Sequence, residues 1–406
     1  MLIGLIGKAN VGKSTFFSAS TDNVVNIANY PFTTVKPNLG ICHARVKCVC
    51  TEFGVKDNPV HSICIDGVRF IPIEIVDVAG LVPGAHEGKG LGNKFLDDAR
   101  QADALIHIID LSGSTDSEGK PIATGTGDPV EDIKFVEEEF DLWLVSIIKR
   151  DWDKIKELDS SGLNTTQILG KRLSGLGVTE SAIDKVLNNL NLHNKKIKDW
   201  TEQETLDFCH NSRSLVKPVV IAANKADIST SQNFLQQLKE KYPHVIPCTS
   251  ELEMLLRKAA KNGFVHYLPG DNSFEIKESM QLSEKQNDAL QIVSEFIKKH
   301  GTTGIQEIIN LACFNLLKKI VVYPVEDESK LTDKKGNILP EAYLLNEGST
   351  AKDLAIAIHQ ELGKGFLFAI DVRTKRRLGA DHKLRNNDVI KIVYNYIYYT
   401  YVILLN

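Results

Sequence analysis

The chain has 406 residues, 43% of them hydrophobic and 25% charged, with a formal net charge of −4. That length exceeds one ordinary core and implies two or three domains. The balanced charge excludes a polycation, so any nucleic-acid contact must come from a local basic patch; seven cysteines in so long a chain exclude a disulfide-rich secreted scaffold. No segment is apolar enough over enough length to span a bilayer, so no membrane partner is expected.

Residues 2–17 read LIGLIGKANVGKSTFF: a short apolar strand, a glycine-bearing turn, and a helix beginning at Lys13. Because that strand runs straight into the turn, it reads as core rather than as a signal peptide, and a cytoplasmic location is expected. The turn, residues 7–14, is G-x-x-x-x-G-K-S, in which backbone N–H groups and a helix N-terminus converge and bind an anion. Gly7 and Gly12 allow close backbone approach to phosphate, and Lys13 reaches the β- and γ-phosphates. The Ser14 hydroxyl, with Thr15 beside it, is placed to bind Mg²⁺. A glycine turn before an ordinary helix is the plain alternative, and the motifs further along count against it.

Residues 29–38, NYPFTTVKPN, are bounded by prolines and read as a loop. In a nucleotide switch a Thr here reaches Mg²⁺ and the γ-phosphate, either Thr33 or Thr34, with Thr34 preferred. Cys48, Cys50, His61 and Cys64 follow at a density that could hold zinc, although their spacing matches no standard finger or ribbon. A plain strand edge is the alternative, as is a disulfide through Cys64 in a hyperthermophile.

Residues 70–76 form a half-buried strand that ends in Asp77-Val78-Ala79-Gly80, a D-x-x-G motif. The Asp77 carboxylate can enter the Mg²⁺ shell, and the Gly80 N–H can be drawn onto the γ-phosphate and released when that phosphate leaves. Leu81 stands where many GTPases carry the Gln that orients the attacking water. Either His86, in a glycine-rich loop expected to be mobile, takes that role, or hydrolysis is slow and waits on a partner.

A buried strand at 105–110 is followed by a glycine-rich stretch, 112–128, expected to be weakly ordered. Helical stripes come next: Ile133, Val136, Phe140, Trp143 and Ile147, then Ile183, Val186, Leu187 and Leu190. A further strand at 219–223 leads into Asn224-Lys225-Ala226-Asp227, N-K-x-D. Asp227 can accept two hydrogen bonds from the N1–H and 2-amino groups of guanine, Asn224 braces the loops, and the Lys225 stem packs along the base. After the last strand, Ser250 could present a backbone N–H to the base.

Motifs at successive strand ends build one crevice on a parallel sheet. The expected architecture is α/β: a P-loop GTPase fold, mostly parallel with helices on both faces, over 1–127 and 215–252, with a helical insertion at 128–214. A helical connection at 253–319, a β-grasp unit at 320–394 and a tail at 395–406 complete it. In the β-grasp unit a helix is expected over 349–362, and Arg373, Lys375, Arg376, Arg377, Lys383, Arg385 and Lys391 face only Asp371, Asp381 and Asp388, seven positive charges against three negative, net +4. Such a patch suits RNA, or is a solvated strand face.

Residues 29–40, NYPFTTVKPNLG, and 77–103, DVAGLVPGAHEGKGLGNKFLDDARQAD, are narrower signatures than the phosphate loop. Through them the chain resembles the Obg/YchF group of translation-factor-related P-loop GTPases, most of all its archaeal and fungal branch, and its C-terminal unit resembles a TGS domain. The resemblance implies a GTP/GDP switch that associates with ribosomes, rRNA or tRNA. It also implies a hydrophobic residue at the Leu81 position and, through Asn10, a bound K⁺ that substitutes for an arginine finger. Relatives that prefer ATP lack the Asp of N-K-x-D, so retention of Asn224 and Asp227 implies GTP over ATP. A GTP-gated ribosome- or RNA-binding module with negligible hydrolysis is the competing reading, and a stand-alone RNA-binding protein the third.

Overall fold

The fold is taken from a computed structural model, which describes residues 1–21, 38–78, 84, 99–150, 154, 162–176, 178–277 and 282–395. The chain divides into two compact units, one holding Ile73–Ala312 with the N-terminal strand and helix, the other His43–Pro72 and Cys313–Asn406.

The first unit is built on parallel strands. They are β1 (Leu2–Ile6), β4 (Val68–Asp77), β5 (Ala104–Asp110), β6 (Val219–Asn224) and β7 (Val245–Pro247), in the order β4-β1-β5-β6-β7. Strand β2 (Leu39–Lys47), which runs into the second unit from His43, flanks β4, and the short β3 (Ile63–Ile65), in the second unit, pairs antiparallel with the Val68–Phe70 end of β4. All seven residues of β5 are buried, as expected of a parallel strand covered on both faces. Helix α1 (Lys13–Thr21) follows β1, and α2 (Cys50–Phe53), in the second unit, is one short turn.

The insertion is helical: α3 (Pro129–Lys149), α4 (Thr165–Leu173), α5 (Glu180–Asn189) and α6 (Glu202–Val216). Each start is written in the sequence. Asp128 caps α3 by accepting from the Val130 N–H with Pro129 in the first turn, and Asn164/Gln167 and Thr201/Glu204 form capping boxes. Phe140, Trp143, Leu144 and Ile148 pack with Ile168, Ile183, Leu187 and Phe208 into one core. Near the end of α3 the buried positions are Leu144 and Ile148, while Ile147 is only half-buried, so the stripe drifts from the face expected.

Helices α7 (Ser231–Lys241), α8 (Ser250–Lys261), α9 (Glu284–His300) and α10 (Ile305–Asn310) complete this unit with the small hairpin β8 (Val265–His266) and β9 (Glu275–Ile276). Among the described residues no helix is long and apolar enough to cross a membrane.

The second unit carries a five-stranded sheet of β10 (Lys319–Val325), β11 (Tyr343–Asn346), β12 (Phe366–Asp371), β13 (Arg377–Leu378) and β14 (Asp388–Tyr394), ordered β11-β10-β14-β12-β13. Its central pair, β10 and β14, is parallel and the others antiparallel, the β-grasp arrangement. The single helix expected over 349–362 is two, α11 (Ala351–Ile358) and α12 (Gln360–Lys364). His359 breaks it: its backbone is extended and its Nδ1 accepts from the Glu361 N–H, so it caps the second helix. The basic set is also thinner than its count. Arg373 is bidentate to Glu52 at 2.6 and 2.7 Å, Lys391 pairs with Glu328 and Lys375 donates to the Glu328 carbonyl at 2.8 Å, leaving Arg376, Arg377, Lys383 and Arg385 as exposed cations.

Candidate nucleotide site

Adjacent strand ends set the site. In register, Leu5 of β1 lies beside Asp77 of β4, and Asp110 of β5 beside Asn224 of β6, so the loops after four parallel strands emerge together. The loop after β1 needs its glycines. Gly7 has φ +149 and a Cβ there would lie 2.4 Å from the Ile108 carbonyl oxygen; Gly12 has φ +92 and a Cβ would lie 2.2 Å from Asn224 Nδ2.

At the end of β4, Asp77 receives two groups from the start of α1. Lys13 Nζ is 2.6 Å from Oδ1, and Ser14 Oγ donates to Oδ2 at 3.0 Å. An ammonium, a hydroxyl and a carboxylate are thus gathered beside the glycine loop. Thr15 is half-buried in α1. Thr34, Gly80, Leu81 and His86 lie outside the described residues, as does the tail from 396 onward. Of residues 79–98 only Gly84 is described; its N–H donates to Glu139 Oε1 on α3 at 2.7 Å.

After β6 the side chain of Asn224 is buried and ties three segments together. Its Nδ2 donates to the Val11 carbonyl at 2.9 Å, and its Oδ1 accepts from the Ser250 N–H at 3.0 Å and the Ser250 hydroxyl at 2.9 Å. Ser250 is therefore the first residue of α8 with both donors turned to Asn224. Lys225, at φ +61, sends its ammonium to the Asn10 carbonyl (3.1 Å), Asp110 Oδ2 (2.9 Å) and Ser114 Oγ (3.1 Å). Asp227, by contrast, is exposed.

Two buried charges on this framework were not singled out from the sequence. Asp110 accepts from the hydroxyls of Ser112, Ser114 and Thr115 and from Lys225. Burial pushes its carboxyl up, but the hydrogen bonds from Ser112, Ser114 and Lys225 outweigh burial and hold it below the usual range. Lys8, inside the phosphate loop, is 3% exposed and donates to Thr115 O (3.2 Å), Asp116 O (2.8 Å) and Asp132 Oδ1 (2.6 Å). Burial raises the Asp132 carboxyl to about 6 against the pull of Lys8. A carboxylate at a strand's end followed by Ser112, Ser114 and Thr115 is a legible turn signal. Nothing in the sequence marks Lys8 as buried.

These bonds overturn the weak order expected of 112–128. The stretch is a folded strap in which Gly125 N–H bonds Ser112 O (2.8 Å), Gly127 N–H bonds Gly113 O (2.9 Å) and Ile122 N–H bonds Ser114 O (3.0 Å). It lies on the phosphate loop: Asn10 Nδ2 donates to Gly119 O at 2.9 Å, and a Cβ on Gly119 would sit 2.6 Å from the Ala9 carbonyl oxygen.

Comparisons with known proteins agree with this geometry. A family model described as "50S ribosome-binding GTPase" matches residues 2–134, "Obg-like GTPase YGR210-like, G4 motif-containing domain" matches 222–327, and "TGS domain" matches 330–394. An uncharacterized GTP-binding protein of Methanocaldococcus jannaschii is 49% identical over 97% of this chain and 98% of its own length. The ribosome-binding ATPase YchF of Mycoplasma pneumoniae is 31% identical over 75% of this chain and 80% of its own. A crystal structure of a GTP-binding protein from Pyrococcus horikoshii superposes with a TM-score of 0.75 at 39% identity, covering 97% of this chain and all of that one. With the phosphate loop, the strand order and the C-terminal β-grasp sheet in place, the chain belongs to the Obg/YchF family of P-loop GTPases that carry a TGS domain, and it is by class an NTP-hydrolysing enzyme.

Proposed function

We propose that this protein is a Mg²⁺-dependent GTPase that hydrolyses GTP to GDP and phosphate, prefers GTP to ATP, and acts as a cytoplasmic nucleotide switch on ribosomes or their RNA. The observation that carries the reading is the set of Lys13, Ser14 and Asp77 within 3.0 Å contacts at the mouth of the glycine loop. Hydroxyl and carboxylate oxygens are the donors Mg²⁺ takes, so Ser14 and Asp77 fit that ion, with Thr34 the expected third. The ion would neutralise charge on the phosphates. Lys13 exchanges its Asp77 partner for the β- and γ-phosphates, the loop amides bind the same oxygens, and positioning with electrostatics supplies the acceleration.

Asp227, beyond β6, reads the guanine edge, which adenine cannot match; Asn224 and Lys225 act by holding the loops. Asn10 is the K⁺ candidate through its side-chain carbonyl. Residues 1–127 and 215–252 form the GTP-binding part on this reading, with the helical insertion and the TGS unit available to a partner. The ribosome enters through the printed names of the 50S-binding family and of the Mycoplasma relative, and Arg376, Arg377, Lys383 and Arg385 give the TGS unit a cationic edge suited to phosphates.

The test is single-turnover GTP hydrolysis in Na⁺ and in K⁺, with and without ribosomal subunits, with Lys13→Ala as the blank. Acceleration by subunits supports a partner-triggered GTPase, and acceleration by K⁺ alone supports a self-contained site at Asn10. Leu81 in place of Gln favours one alternative: should neither speed turnover while GTP still promotes ribosome binding, the protein works as a GTP-gated binding module.

A further inference from the structure

The second unit holds a cluster unrelated to the nucleotide crevice. Cys48 follows the last residue of β2, Cys50 opens α2, Cys64 is the middle residue of β3, and Asp57 lies in the loop between α2 and β3. One ligand atom from each of these four residues lies within 4.8 Å of all the others. His61, which the sequence placed with them, is turned away to Glu341, and Asp57 takes its place.

Two of the separations lie near the edges of a coordination shell. The Sγ atoms of Cys50 and Cys64 are 3.8 Å apart, and Cys48 Sγ is 3.2 Å from Asp57 Oδ2. A tetrahedral Zn²⁺ with Zn–S of about 2.3 Å and Zn–O of about 2.0 Å has S···S edges of about 3.8 Å and S···O edges of about 3.5 Å. A disulfide needs about 2.0 Å and would leave one of the three thiols over. Cys48 and Cys50 are 1% and 5% exposed and the Asp57 side chain 6%, while Cys64 is half-buried, a set closer to a closed structural site than to an open catalytic one.

The outer shell is also built. Arg69, fully buried and the register partner of Cys64 on β4, fixes Asp57 through Nη2 at 2.8 Å, and is itself held by Ser62 Oγ (2.8 Å) and Leu339 O (2.9 Å). Its Nε–H has no hydrogen-bond partner. A buried N–H left over on the residue that pairs in register with Cys64 and holds Asp57 is a donor available to a metal-bound thiolate, and orienting groups of this kind are what a metal site needs behind its ligands.

We propose that Cys48, Cys50, Cys64 and Asp57 form a structural binding site for a thiophilic divalent cation, Zn²⁺, that staples the end of β2 to α2 and β3. Thiolate donors select zinc over Mg²⁺, which takes oxygen ligands. The proposal stands whether or not the chain hydrolyses GTP.

The full chain, purified under reducing conditions without chelator, is expected to carry one zinc per chain by plasma mass spectrometry. Replacement by Co²⁺ should give thiolate-to-metal charge transfer and the intense visible bands of a tetrahedral site. Removing the metal should expose three further thiols to Ellman's reagent. Cys64→Ser and Asp57→Asn should each lower zinc affinity at least tenfold while fluorescent GDP still binds, which reports an intact first unit. Because the cobalt spectrum and the thiol count use the unaltered chain, misfolding of a variant cannot hide the answer. Metal well below one equivalent after zinc reconstitution, thiols equally reactive with and without chelator, or a Cys50–Cys64 disulfide in the reduced preparation overturns the proposal.

Discussion

Replacing Asn224 by Ala removes the acceptor and donor that join three segments of the nucleotide site. It leaves the Val11 carbonyl, the Ser250 N–H and the Ser250 hydroxyl without the partners they have at 2.9–3.0 Å. The hydroxyl can rotate, but the two backbone groups are fixed and buried, and each such orphan costs about 1–3 kcal/mol. The expected loss of stability is about 4 kcal/mol by urea unfolding of the first unit. The phosphate loop would then have to be ordered at the expense of binding, so fluorescent GDP affinity should fall by roughly tenfold or more, tenfold being about 1.4 kcal/mol. Ser250→Ala keeps the backbone N–H bond and should cost only about 1 kcal/mol, and the double variant should cost less than the sum of the two. Asn224→Asp separates bracing from a simple void: it preserves volume and an acceptor for Ser250 but turns an oxygen toward the Val11 carbonyl, and should still weaken GDP. A stability loss under about 1 kcal/mol for Asn224→Ala, with unchanged GDP affinity, would refute the bracing role.

Lys8→Met should destabilise the first unit by about 3–5 kcal/mol near neutral pH, because Asp132 stays buried without its ammonium. With its carboxyl already raised to about 6, Asp132 is neutral in acid, so the loss measured at pH 5 should be smaller than at pH 8, and Asp132→Asn should restore part of it. His107 is buried in β5 and held down to about 3 by desolvation. A histidine depressed in the folded state contributes stability that is complete above its ordinary value near 6.5 and is lost as pH falls toward 3. Between pH 7 and pH 5 it should cost about 2 kcal/mol, a slope that His107→Leu should abolish in urea titrations at the two pH values. Asp227→Asn should weaken GTP roughly 100-fold, two charge-assisted hydrogen bonds being worth about 3 kcal/mol, and raise affinity for xanthine nucleotides. Calorimetry showing ATP bound as tightly as GTP by the unaltered chain would remove the base-reading assignment.

The features legible in the sequence are those set by local chemistry. Gly7 and Gly12 were readable because only glycine meets the backbone demands of the loop, and β5 and β6 because buried parallel strands are continuously apolar. Capping pairs such as Thr201 and Glu204 announce helix starts. What the sequence hid depends on partners distant in the chain. Lys8 looks like any solvated lysine until Asp132, Thr115 and Asp116 surround it. The strap at 112–128 has a loop's composition, and its order comes from hydrogen bonds between residues eight to fourteen apart and from contact with Ala9 and Asn10. His359 sits inside a helical pattern, and only its cap on Glu361 shows where that pattern breaks. Likewise Asp57 could not be recognised beside the cysteines, since Arg69 and the return of β4 bring it there.

The Lys225 ammonium bonds at once to the Asn10 carbonyl in the phosphate loop and to Asp110 at the end of β5. Were the loops at the two ends of a nucleotide independent, either could yield first, and dissociation would have two routes with separate barriers. Joined through the Lys225 ammonium and, separately, through the Asn224 amide between Val11 and Ser250, they open together rather than one at a time. On the proposed reading the residence time of a bound nucleotide would then follow the rupture of both ties.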